Sequence, residues 1–522
     1  MDRLFRNPIG SSGRNMISQF LADAEKESKQ FQIEINKLKA SMIVLENKQE
    51  KLKHVMGRYR SLLLLSPIHS MPTELLARIF TFCCSENHLY LYGKVEPLKL
   101  GMVCSRWRDI AFSTSILWSN ITIDLSAWGK MPRLLESAIR QFMERSDKSL
   151  LRLNLDLSDV WEPEWAFPAL RNLCQHSERW KGLHLAVNET SLDRRVFQSV
   201  EGRLASLKHL HIRGNALDDD NYYPELPNLF SLCPSLSSLS LHGYWRPITS
   251  SHNMPRAQIT SLKLDCFIHG DALEYLVSFP NLQTLHLRCT GHDLEPYAAS
   301  AGDKDICDLI ALQSAVIEVE DDKQASFLFR YCTVPQLTSV HLIGLASYLE
   351  WGVDQRTIPN FISRSGCTIT ELVLVRLPIL DSEDIGLLKL LPTLTTLRIE
   401  ELERKPNNRI ITTSFLDTLH VNQHSNSTTF LPRLTSLFLR IHAVSLDSSA
   451  LVKAMTSRWA PDPVFATDMG IDRIRSIGIE LMWQMSPWKR SPPDTPRKVF
   501  EPLRCLGDAG AKVWIVDVVA KE

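Results

Sequence analysis

Residues 334–342 read VPQLTSVHL, and the same phrase returns as FPNLQTLHL at 279–287, LPTLTTLRI at 391–399, LPRLTSLFL at 431–439 and CPSLSSLSL at 233–241. Proline, first leucine, polar gap and closing alternation keep their places in each copy. The apolar residues of LxxLxL end on a period of two, as expected of a strand with one buried face. The proline ahead of them ends a preceding helix: it has no N–H for a further turn and disfavours the helical conformation of the residue before it.

Looser copies extend the pattern outward. Starts fall at Leu150, Trp180, Leu207, Leu236, Ile259, Leu282, Leu337, Ile369, Leu394, Leu416, Leu434 and Ile474, with a degenerate copy at Leu312. The mean spacing is about 27 residues, inside the range of leucine-rich repeats. Between copies, stretches such as Asp271–Phe279 (DALEYLVSF) and Asp381–Leu391 (DSEDIGLLKLL) carry apolar residues at helical spacing. Each unit therefore reads as strand then helix, and one such unit cannot bury its own apolar face. Stacking must complete the core. The reading predicts a leucine-rich-repeat-like domain over 150–522, with Lys512–Val519 (KVWIVDVV) as a closing strand and a proline-rich surface loop after Ser486.

Upstream lies a second period. With Ile35 at position a of a heptad, Leu21, Met42, Met56 and Leu63 also fall at a, and Ile17, Ala24, Phe31, Leu38, Leu45, Leu52 and Tyr59 at d, interrupted by Ser28 and Gln49. Residues 16–65 are expected to form one heptad helix after a disordered stretch 1–15. The stripe fits a coiled coil that joins two copies through 16–64 and fits equally a helix folded back on its own chain.

Between helix and array stand MPTELLARIF (Met71–Phe80), VCSRWRDIA (Val103–Ala111) and ILW (Ile116–Trp118). Pro72 suits a first helical turn, and Glu74 lies near the positive end of the helix dipole. Leu75, Leu76, Ile79, Phe80 and Cys83 make an apolar stripe too wide for a short helix resting on solvent. In the second helix Val103, Trp107 and Ile110 share a face with Leu100. So small a module has little interior, and part of this surface should meet another protein.

Residues 66–121 resemble the F-box, a three-helix module, in the form common in mushroom-forming fungi, where a heptad helix precedes it and irregular repeats follow. The resemblance implies an α/β chain with a long N-terminal helix, a three-helix F-box, a linker or capping helix at 122–149, and an irregular leucine-rich-repeat solenoid whose curved parallel sheet has helices on its convex side. It also implies a Skp-type adaptor, and through it a cullin ubiquitin ligase, as partner, with contacts carried over to Met71, Pro72, Leu75, Ile79, Leu98, Val103, Cys104 and Trp107. Two departures stand out: Met71 where leucine is usual, and an insert from Glu86 to Pro97. The alternative is a repeat scaffold whose F-box-like module is only structural.

Charge and motifs narrow the classes. The 59 basic side chains balance the 59 acidic ones, so no nucleic-acid partner is expected from bulk charge. The first residues lack the apolar core of a signal peptide, and Leu62–Leu65 is too short to cross a bilayer. A cytoplasmic or nuclear protein without membrane contact is expected. Eleven cysteines without a CxxC pair suit a reducing compartment. No phosphate loop, HExxH, nucleophile elbow or dinucleotide fingerprint occurs, so neither enzyme activity, cofactor nor metal is expected. The expected binding face is the strand ladder, where the residue between the last two apolar positions projects away from the core. That column reads Asn154, His184, His211, Ser240, Lys263, His286, Val316, His341, Val373, Arg398, His420, Phe438 and Gly478. Its five histidines, His184, His211, His286, His341 and His420, outnumber what composition supplies, and would make a substrate face that titrates near pH 6 to 7, although any solvated sheet face needs such polar residues.

Overall fold

The computed structural model describes residues 10–63, 67–89, 95–128, 131–159, 163–187, 194–214, 228–243, 254–265, 272–288, 306–320, 322–345, 356–377, 381–402, 410–421, 429–444, 446–459, 464, 466–467, 470–483 and 499–519. The chain divides into two compact units, 1–79 and 80–522.

In the first unit, α1 (Ser11–Leu63) is one uninterrupted helix of 53 residues. It starts earlier than the heptad suggested: residues 11–15 are helical, whereas 1–9 lie outside the described residues. No proline occurs in this span to break it.

The second unit is built on strands. In chain order they are β1 (Asn87–Leu89), β2 (Asn120–Asp124), β3 (Leu151–Asp156), β4 (Trp180–Val187), β5 (His209–Gly214), β6 (Ser238–His242), β7 (Ser261–Asp265), β8 (Thr284–Arg288) and β9 (Cys307–Asp308). There follow β10 (Ser314–Val319), β11 (Cys332–Thr333), β12 (Ser339–Gly344), β13 (Glu371–Val375), β14 (Thr396–Glu400), β15 (Ser436–His442), β16 (Ser476–Trp483) and β17 (Lys512–Val519). β9 and β11 pair with each other; the remaining 15 form one sheet in strict sequence order. Every neighbouring pair is parallel. Order without crossing is what stacked units give when each touches only its neighbours.

The motif leucines make the core. Leu337, Leu394, Leu434 and Ile474 are fully buried, as are Leu397 within β14 and Leu439 within β15. The residue after the first leucine has a second task. Thr338 Oγ1 donates to Gln313 O (3.1 Å), Thr370 to Thr338 O (3.3 Å), Thr395 to Thr370 O (3.0 Å) and Thr435 to Thr395 O (3.2 Å). Each hydroxyl thus adds a side-chain donor to a carbonyl of the preceding repeat that already takes backbone N–H groups where the strand begins. Arginines repeat the device on the helical side. Arg364 donates to Phe329 O and Cys332 O (both 2.8 Å), beside the end of the helix Asp322–Tyr331. Arg458, fully buried, donates to Leu419 O (2.7 Å), Leu431 O (2.9 Å) and Phe430 O. Terminal helix carbonyls carry partial negative charge and lack donors within the helix, which a guanidinium supplies. Burial pulls the Arg458 pKa down to about 10.

Two expectations are corrected, and the insert gains a structure. The copy at Leu416 is not a strand: Thr413–Leu419 is a helix, its N-cap Thr412 Oγ1 accepting from Phe415 N at 3.2 Å. LxxL satisfies both periods, and here Phe415, Leu416 and Leu419 are buried as a helical face. The sheet also begins well before residue 150, since β2 and β1 precede β3 in the same ladder. The stretch 122–149 thus holds most of β2 as well as the helix Pro132–Ser146. Finally, the insert Glu86–Pro97 contributes β1. Asn87, fully buried, anchors it by donating from Nδ2 to Leu117 O (2.7 Å) and Asn120 O (2.9 Å). The closing strand falls where the sequence placed it; the proline-rich stretch lies outside the described residues.

Candidate binding surfaces

The helix Thr73–Cys83 sorts its apolar residues onto two faces. Leu76 (0% exposed) and Phe80 (1%) are buried, whereas Leu75 (51%), Ile79 (41%) and Phe82 (74%), spaced for one side of the helix, are exposed. Met71 is half-buried and Pro72 exposed. Farther on, within the second unit, the helix Glu96–Gly101 carries Leu98 half-buried, and Met102 and Val103 follow it exposed. Cys104 caps the helix Ser105–Ser113, its Sγ accepting from Trp107 N at 3.5 Å. Trp107 lies 4.8 Å from Phe80, ring to ring. Cys104 and Trp107 therefore have local structural work that sequence reasoning did not separate from partner contact. Within the second unit Trp118 is buried, donates from Nε1 to Ala111 O (2.9 Å), meets the Phe142 ring at 5.1 Å and lies under Arg145. Exposed apolar residues around so small a core are surplus to its own folding.

The second surface is the face of the sheet opposite the buried leucines. Strand register puts His88, Thr122, Asn154, His184, His211, Ser240, Lys263 and His286 in one column, continued by Val316, His341, Val373, Arg398, Phe438, Gly478 and Trp514. His184, His211, His286 and His341 share it; His420 does not, being the exposed C-cap of Thr413–Leu419. His88 joins through β1, which no LxxLxL copy announced.

A neighbouring column holds charges the histidine reading missed. Arg213 meets Asp156 at 3.0 Å. Asp265 takes His242 and Arg288, and Glu318 takes His286 (2.7 Å) and Arg288 (3.6 Å). Glu400 takes Arg398 and Arg440, and Arg440 also reaches Glu480 at 3.5 Å. The histidines have different surroundings. His184 and His211 meet edge to face at 4.0 Å, and His211 Nδ1 is hydrogen-bonded to Ser240 Oγ at 2.7 Å. Burial first, then His184, His242 and Lys263, pulls His211 down to about 4. His184 is lowered by burial and Arg213. His211 is thus neutral at pH 6 to 7, against the expected titration there, and His184 is shifted in the same direction. At the far end the column turns aromatic: Arg398 lies 4.2 Å over the Phe438 ring, and Trp514 lies so close above Gly478 that any Cβ there would clash with it.

Parallel strands in sequence order, most of them burying aliphatic residues on one face, define a leucine-rich-repeat solenoid. Residues 68–124 match the family described as F-box-like, so the chain carries an F-box-like domain. Among solved structures, the leucine-rich repeat-containing protein LegL7 from Legionella pneumophila is similar at 17% identity, covering 53% of this chain and 89% of that one, with a TM-score of 0.32. No curated protein matches. Among the described residues, no group of three or more histidine, cysteine or acidic side chains is arranged to hold a metal ion, and no helix is long and apolar enough to cross a membrane.

Proposed function

We propose that this protein is an F-box substrate receptor: residues 68–124 bind a Skp-type adaptor and through it a cullin ubiquitin ligase, while the open sheet face binds a protein substrate. The observation that carries the reading is the exposure of Leu75, Ile79, Met102, Val103 and Ile116 within the F-box-like domain, because F-box domains commonly bind Skp-type partners. The receptor performs no chemistry of its own; it raises the effective concentration of substrate near the transfer machinery. It works in the cytoplasm or nucleus, and α1 joins two copies through residues 16–64. The test is capture of a recombinant Skp-type adaptor by the full chain and by a Leu75→Ala, Ile79→Ala, Val103→Ala variant, since exposed positions leave the fold intact. Capture by the variant should fall at least about tenfold, as expected when apolar anchors are truncated; undiminished capture overturns the reading.

One observation favours a second reading. The insert Glu86–Pro97 adds β1 to the sheet, so the F-box-like domain also serves the array as an N-terminal cap. An array that keeps its fold while capturing no adaptor would leave only that role.

A further inference from the structure

The apolar stripe of α1 is open along its length. Phe31 (56%), Leu38 (70%), Leu45 (64%), Leu52 (60%) and Tyr59 (65%) at d, with Leu21 and Met42 at a, expose large side chains. We propose that its occupant is the same helix of a second copy, running antiparallel and centred on Ala40. This rests on the self-association proposed above and assigns its direction and register.

The seam supplies the first argument. In a parallel, in-register pair each a residue meets its own copy, so Ser28 would face Ser28 and Gln49 would face Gln49. In an antiparallel pair a meets d. Centred on Ala40, Ser28 then faces Leu52, Gln49 faces Phe31, and the small Ala24 faces the long Met56. No polar seam residue meets another, and the two small seam residues, Ala24 and Ser28, each meet a large one.

The flanks supply the second. Positions e and g hold Glu25, Glu27 and Glu34 in the first half of α1 and Lys48, Lys53 and Arg60 in the second. A parallel pair brings each g beside the next e, which sets Lys48 against Lys53 and leaves one favourable contact, Glu34 with Lys39. An antiparallel pair brings e beside e and g beside g. Glu34 and Glu27 then approach Lys48, and Glu25 lies between Lys53 and Arg60. Lys39 lies between Glu46 and its own copy at the axis, the one like-charge contact. The acidic half of each helix thus covers the basic half of the other, and orientation is what flanking charges select. A rod of this length is about 80 Å at 1.5 Å per residue, and the two chains leave it at opposite ends.

The experiment uses the full chain with cysteines introduced at Ala24→Cys and Met56→Cys, oxidised with diamide beside the parent chain to allow for its own cysteines. Antiparallel pairing predicts a cross-linked dimer when the two variants are mixed and none beyond the parent when either is oxidised alone. Glu34→Lys should raise the dissociation constant several-fold in sedimentation, and adding Lys48→Glu should restore it. Cross-linking of Ala24→Cys alone would establish a parallel pair and overturn the direction while leaving self-association standing. A dimer that cross-links in neither sample overturns the register. A monomer at high micromolar concentration overturns both and leaves a helix folded back on its chain.

Discussion

Helix α1 and the repeat array are both one-dimensional repeats, one of seven residues and one of about 27, yet they bury their leucines differently. In the array Leu337, Leu394 and Leu434 are at 0% exposure, while in α1 Leu38, Leu45 and Leu52 lie at 60–70%. A strand–helix unit is covered by the next unit of the same chain, so connectivity guarantees its partner. A heptad stripe runs along one helix and has no next unit. Its cover must come from elsewhere, and that makes its association depend on concentration.

Four measurements sharpen or break this contrast. The largest effect is expected at the array core, where Leu394→Ala should cost about 2–5 kcal/mol, as buried leucine truncations do. A urea midpoint close to the parent's would mean the repeats are not coupled through this leucine. Next comes Arg458→Leu, which removes the guanidinium donors from Leu419 O, Phe430 O and Leu431 O, the last of which keeps Leu434 N–H. A loss of roughly 1–3 kcal/mol is expected, the cost of orphaned polar groups. A gain in stability would show that desolvating the guanidinium outweighs its bonds.

A smaller effect follows from His211, whose folded pKa of about 4 lies below the ordinary value of 6.5. Above pH 6.5 both folded and unfolded histidine are neutral, and the group has no effect on stability. As pH falls from 6.5 towards 4, the unfolded chain takes up the proton and the folded one does not. The array should therefore lose roughly 1–2 kcal/mol across that window, the shift discounted for partial exposure. His211→Gln should flatten the loss, and an equal loss in that variant would place its source elsewhere. The smallest effect is reserved for α1: Leu38→Ala should leave the array's unfolding free energy from its urea midpoint within about 0.5 kcal/mol of the parent's while weakening self-association. A large shift in that midpoint would tie α1 to the array's folding and erase the contrast.

The LxxLxL phrase carries its own strand and its own stop, because proline, leucine and alternation act within nine residues. Twelve of the thirteen starts accordingly precede strands, and Lys512–Val519 closes the sheet. Leu416 misleads because LxxL is common to a strand and a helix, and what decides is the cap at Thr412 and burial by neighbours. Without that copy, equivalent residues Thr395 and Thr435 stand 40 apart, the same spacing as Leu434 and Ile474.

The candidate surfaces divide the same way. Four histidines of the column were legible because the side-chain period of a strand is fixed by covalent geometry. Their partners were not. Glu318, the partner of His286, and Glu371, 3.8 Å from His341, come from other repeats, and which carboxylate reaches which imidazole depends on register. Likewise MPTELLARIF announced an apolar helix but could not say that Leu76 and Phe80 turn inward while Leu75 and Ile79 stay out. By itself, then, the sequence determined the periodic elements: a heptad helix, an F-box-like module, and strands facing one way. Tertiary structure alone decided that the insert becomes β1, that His211 is neutral, and that Trp514 lies over Gly478. Those outcomes depend on contacts between residues far apart in the chain, and no local period encodes which distant groups will share a dielectric or a van der Waals contact.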